Sequence, residues 1–175
     1  DDWGPSSSIR SMSPLGIGPV LKDRSAVNIG VVSCMSYLDD KGFGPSLVHR
    51  NGVTRARMFQ EITIAQQTDC SDDAALAAAL DQLEATLNSP LGNMKGDYCV
   101  GQYTLADCAW AGVCQVATNM GKGTAVSSRS AVNTWFAAVQ SHPSTSKEAI
   151  NPFSCLSTKA DHDANSMRDV RINTA

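Results

Sequence analysis

The chain has 175 residues, 42% of them hydrophobic and 18% charged, with a formal net charge of −3. That composition fits a soluble globular protein with one good core or two small cores sharing an interface. Lysines and arginines are scattered singly, so the clustered cations that neutralise phosphates are missing and direct nucleic-acid binding is not expected; the apolar runs fall far short of the ~20 residues of a membrane span.

No positively charged start followed by an apolar stretch marks a signal peptide, and the chain opens on Asp1-Asp2-Trp3. The expected location is intracellular: the cytoplasm, or an organelle after removal of a targeting segment. The six cysteines, at 34, 70, 99, 108, 114 and 155, form no C-x-x-C, and His49, His142 and His162 stand apart from them. Reduced thiols are therefore expected rather than a zinc site or a disulfide framework.

Residues 1–16 are rich in Ser, Pro and Gly and read as an irregular lead-in. Ile17 to Lys22 and Ala26 to Ile29 are two short strand-like runs around Asp23-Arg24-Ser25, a hairpin pattern in which Pro19 marks an edge, a strand start or a bend. Val31, Cys34, Met35 and Leu38 then predict a short helix that stops at Asp39 to Gly42. Residues 43–53, with Gly44-Pro45 and Asn51-Gly52, read as a linker.

From Thr54 the pattern is helical. Thr54 is the expected cap of a helix carrying Met58, Phe59 and Ile62. Ser71 is the expected cap of the next, with Asp72 and Asp73 in its first turn and a stripe of Leu76, Ala79, Leu80, Leu83 and Leu87. A helix near 104–118 shows Leu105, Cys108, Ala109, Gly112, Val113 and Val116 on one side. Another near 130–141 carries Val132, Trp135, Phe136 and Val139 and stops at Pro143. Residues 151–175 are polar and without periodicity, an extended tail.

The sharpest local signal is Tyr98-Cys99-Val100-Gly101-Gln102-Tyr103-Thr104-Leu105-Ala106-Asp107. Thr104 precedes Asp107 by three residues, the spacing of a capping box, with Asp in place of the usual Glu or Gln. In this context the string resembles the Y-L-V-G-x-x-x-T-x-A-D signature of the glutathione transferase C-terminal domain. Val132 to Pro143 resembles the later W-F-x-x-V-Q-x-x-P helix of the same family. That form is most like the versions attached to aminoacyl-tRNA synthetases, their auxiliary proteins and elongation factor 1 gamma. Pro19-Val20-Leu21-Lys22-Asp23 looks like the V-P-V-L-x-D strand of the family's thioredoxin-like domain, and gap-free counting places Tyr37-Leu38 on its Y-L.

The resemblance covers roughly residues 17–150. It implies an α+β, mostly α protein: a partial thioredoxin-like hairpin and helix over 17–42, the linker 43–53, and a glutathione-transferase-like helical bundle over 54–150. It also places Gly30 and Val31 where the family has the Glu-Ser pair that anchors the γ-glutamyl group of glutathione. Gly30 and Val31 offer neither carboxylate nor hydroxyl, and a buried charged ligand end without partners costs several kcal/mol. The family's catalytic Ser, Cys or Tyr lies on a β-α-β segment of about fifty residues before this strand. Only 18 residues precede Pro19, so no catalytic role passes to Ser6-Ser7-Ser8.

The expectation is a non-catalytic interaction or scaffolding subunit without a cofactor, with a transferase lacking its front segment as the rival. Pro19 is a scaffold proline, a ligand contact only if a residual glutathione cleft exists. Asp107 reads as the cap partner of Thr104, and Cys34 as a packing residue. Lys122, in Asn119 to Thr124, lacks the strand and glycine spacing of a phosphate loop. Trp110 lies off the Leu105/Val116 stripe and is expected to cover a neighbouring helix or meet a partner. Trp135-Phe136 reads first as core and second, with Trp110, as an interface. The lead-in 1–16 and tail 151–175 hold too little apolar surface to order alone, so other protein subunits are expected to hold them, alongside helix–helix docking.

Overall fold

The computed structural model of the protein describes residues 19–42, 45–89 and 96–143. The lead-in 1–16, Ile17-Gly18 of the expected first strand, Phe43-Gly44 of the linker and all residues from 144 onward, the tail included, lie outside the described residues.

Strands β1 (Val20–Asp23) and β2 (Ala26–Ile29) pair antiparallel, with Val20 opposite Ile29 and Asp23 opposite Ala26. Arg24 takes φ 54 in the two-residue connection, a left-handed conformation uncommon for a side-chain-bearing residue. Helix α1 (Val31–Lys41) follows and is fastened to the hairpin by side chains. The Tyr37 hydroxyl donates to Asp23 Oδ2 at 2.5 Å, and Cys34 Sγ donates to the Asn28 and Pro19 carbonyls at 3.4 and 3.6 Å. Cys34 is thus a buried packing residue. Leu38, expected on the buried stripe, is 55% exposed; the apolar contact of α1 with the core runs through Val31, Val32 and Met35 and goes no further.

Helix α2 (Gly52–Gln67) starts two residues before the expected cap Thr54. Asn51 Oδ1 accepts the Val53 and Thr54 amides at 2.9 and 3.2 Å, so the Asn-Gly pair assigned to the linker begins the helix instead. Helix α3 (Asp73–Asn88) is capped by Asp72 rather than Ser71. Asp72 Oδ1 accepts from Ala74 and Ala75, while the Ser71 hydroxyl donates to Asp69 Oδ1 at 2.6 Å. A carboxylate is the stronger acceptor at a helix start, and the serine is already engaged.

Helix α4 (Leu105–Ala117) crosses the middle of the bundle and packs most extensively on α2. Its deepest face is Ala106, Trp110, Cys114 and Ala117 rather than the stripe predicted through Cys108, Gly112 and Val116, whose residues are half-buried. The helix is apolar nearly all round, so periodicity alone could not orient it. A wide turn at Thr118–Lys122, bent where Gly121 takes φ 80, leads into the short α5 (Gly123–Ser127) and then α6 (Ser130–Ser141). Lys122 Nζ fixes this turn to the α2–α3 connection, donating to the Cys70 and Ser71 carbonyls at 2.8 and 2.7 Å and pairing with Asp73 at 2.7 Å.

The core gathers Met58 and Ile62 of α2, Leu76, Leu80 and Leu83 of α3, Trp110 of α4, and Val132 and Val139 of α6. Neither strand contributes to it. Among the described residues no helix is long and apolar enough to cross a membrane.

Arg129, the cap residue of α6, gives no side-chain bond to the helix start. Glu84 of α3 supplies it, accepting the Ala131 and Val132 amides at 3.1 and 2.8 Å. Desolvation pushes the Glu84 carboxyl up, but those amides, with Asn88 and Arg129, outweigh it and hold the group below its ordinary value. The resulting stability is present above the unfolded-state pKa and is lost as pH falls through the lower folded value. Replacing Glu84→Ala should therefore cost about 1 kcal/mol in urea unfolding at neutral pH, the usual size of a lost cap, and the difference from the parent should shrink in acid.

Candidate functional site

Two buried carboxylates organise the polar interior. Asp107, at the third position of α4, is fully buried. Its Oδ2 accepts the Thr104 amide at 2.8 Å and the Thr104 hydroxyl at 3.2 Å. Its Oδ1 accepts the Cys99 amide at 3.0 Å and the Trp135 Nε1–H at 2.8 Å. The shorter reach of Asp, compared with Glu or Gln, is what lets one carboxylate serve the cap, the preceding loop and α6 together. Four donors offset the cost of burying the charge, which is how such groups survive in an apolar core.

Glu61 of α2 is the second and was not marked by the sequence analysis. It is fully buried, accepts Trp110 Nε1–H at 3.1 Å and pairs with Arg57 at 2.8 Å. Arg57 also donates to Thr86 of α3 at 3.1 Å. A signal existed: Glu61 falls on the same helical face as Met58, Ile62 and Ala65, so it had to be buried, and a buried indole needs an acceptor.

These geometries overturn the interface reading of the tryptophans. Trp110 covers the neighbouring α2, and both Trp110 and Trp135 spend their polar atoms on interior carboxylates. Neither presents a face to a partner. Phe136 is half-buried and stacks on Trp135 with ring centres 6.2 Å apart.

Four of the thiols are shifted away from the reactive thiolate form. Burial first, then the Asp107 charge, pushes the Cys99 thiol well above its ordinary value, and burial pushes Cys114 up to about 12. Cys70 and Cys108 are also raised, chiefly by burial. Among the described residues five cysteines are free, and no group of three His, Cys, Asp or Glu could hold a metal ion.

The remaining site lies where hairpin and α1 meet. Pro19 is exposed, and its carbonyl accepts the Gly30 amide at 2.8 Å. Gly30 caps α1 with φ 87 and ψ 158 and offers no side-chain bond. A Cβ there would meet nothing within 4 Å, so the backbone conformation, not crowding, favours glycine. Val31 packs on the core. Asn28 Oδ1 accepts the Ser33 hydroxyl at 3.3 Å, and its buried Nδ2 has no partner among the described residues. The structure thus brings Pro19, Gly30 and Val31 together in one place and Thr104, Asp107 and Trp135 in another, with Trp110 in a third.

Removing the Asp107 carboxylate takes the acceptor from four buried donors. Asp107→Ala should cost roughly 3–5 kcal/mol in denaturant unfolding, whereas Thr104→Ala should cost about 1 kcal/mol.

The sequence matches no protein-family model, and no curated protein matches it. Solved structures do. A holo maleylpyruvate isomerase, described as a bacterial zeta-class glutathione S-transferase, matches with a TM-score of 0.63 at 18% identity, over 78% of this chain and 74% of that one. A maleylacetoacetate isomerase from Methylobacterium extorquens AM1, with malonate and glutathione bound, matches with a TM-score of 0.61 at 17% identity, over 85% of this chain and 82% of that one. With a hairpin and helix of thioredoxin-like type leading into a helical bundle, the chain has a glutathione-transferase-like fold.

Proposed function

We propose that the protein is a non-catalytic, glutathione-transferase-like interaction subunit of a larger intracellular or organellar assembly, for which translation-linked complexes are the nearest analogy. The observation that carries this reading is the pair Gly30-Val31 at the start of α1. One residue has no side chain and a backbone conformation that disfavours any; the other turns an apolar side chain onto the core. Neither can bind the ammonium and carboxylate of a γ-glutamyl group, and a binding site without those partners leaves the ligand's charges uncompensated. The raised thiols add no nucleophile in their place. Partners in this reading engage the helices and the segments 1–16 and 151–175.

The second reading is a glutathione transferase. It is favoured by the two structural neighbours, both named as isomerases and one holding glutathione. Under it, the Pro19 backbone is a glutathione contact. Isothermal titration of glutathione into the purified protein separates the two. The scaffold reading predicts no measurable heat of binding; saturable binding in the low-millimolar range or tighter contradicts it and supports the enzyme.

A further inference from the structure

The half-buried second face of α4 is not covered along its whole length. Where α4 passes the α2–α3 connection, Gly112, Val113, Val116 and Met120 form the floor of an open groove of about 470 Å³. That volume falls in the range of roughly 300–1,000 Å³ typical of small-ligand sites. Met120 is 48% exposed on the turn bent at Gly121, an adaptable side chain at the mouth of an aliphatic floor.

The facing wall is residues 68–71, and it is preorganised. The Thr68 hydroxyl donates to the Ile64 carbonyl at 2.9 Å, Cys70 Sγ donates to the Val113 carbonyl at 3.9 Å, and Lys122 Nζ donates to the Cys70 and Ser71 carbonyls. Asp69 is the charged residue of the lining. Hydrogen bonds from the Ser71 hydroxyl and amide keep its carboxyl below the ordinary value, so it is ionised at neutral pH, while the raised Cys70 thiol stays protonated. The groove therefore combines an aliphatic floor with the Asp69 carboxylate in its wall, and the nearby Lys122 ammonium is engaged by the Cys70 and Ser71 carbonyls and by Asp73.

We propose that this groove binds small aliphatic ammonium ligands, with the alkyl body on Val113, Val116 and Met120 and the ammonium donating to the Asp69 carboxylate. The site is separate from the Pro19–Gly30 region and stands whether or not the protein is a scaffold.

Hexylammonium and hexanoate share an alkyl body and differ in charge, so the pair tests the assignment. In amide NMR titrations of the full chain at neutral pH, hexylammonium should shift Gly112, Val113, Val116 and Met120 saturably. It should bind roughly three- to fivefold tighter than hexanoate, the discrimination an exposed ion pair supports. Asp69→Asn keeps an acceptor for Ser71 and should abolish the preference while leaving the spectrum of the core unchanged. Absence of saturable shifts with hexylammonium, equal affinity for the two probes, or a preference that survives Asp69→Asn each overturns the proposal.

Discussion

The Asp107 carboxylate is the constraint on which the bundle depends. It sits where three pieces of chain must meet: the loop at Cys99, the first turn of α4 at Thr104, and the middle of α6 at Trp135. A carboxyl group at that depth is tolerated only when its oxygens are engaged, so the donors must all arrive together. Glu61 repeats the logic between α2, α3 and α4 through Trp110, Arg57 and Thr86. Two carboxylates, each holding an indole, thereby fix the mutual register of four helices whose apolar faces alone would allow several packings. Their main effect is on which arrangement forms; the free energy of folding comes mostly from burying Met58, Ile62, the α3 leucines and the two tryptophans.

The sheet unit depends on this bundle and adds little to it. A two-stranded hairpin is marginal by itself, and here neither strand enters the core. It is held through α1, by Tyr37 on Asp23 and Cys34 on the Pro19 and Asn28 carbonyls, while Val27 and Ile29 stay partly exposed. The Pro19–Gly30 contact that shapes this region uses backbone atoms only, so its geometry does not depend on the side chains around it.

Much of the fold was legible in the sequence because local signals and packing agree there. The existence of the hairpin, the α3 stripe and the span of α6 follow from turn residues and periodicity, and the Thr104/Asp107 spacing announced the start of α4; the turn expected over Asp23-Arg24-Ser25 is shorter, because Asp23 pairs with Ala26. The caps of α2 and α3 were displaced because several good acceptors lie side by side, and which one binds the free amides is settled by competing bonds such as Ser71 to Asp69. The face of α4 could not be read because its residues are apolar in every direction. Trp110 and Trp135 looked available for partners only because their acceptors, Glu61 and Asp107, lie 49 and 28 residues away in the chain. The groove beside Met120 was invisible for a similar reason, since its two walls meet only in the folded chain.

Native-state hydrogen exchange tests the central role of Asp107 most directly. If its carboxylate clamps loop, cap and α6 into one cooperative unit, the Cys99 and Thr104 amides exchange only through global unfolding, as slowly as the core amides of α2 and α4. Exchange of these two amides by local opening, orders of magnitude faster than the core amides, would contradict that account.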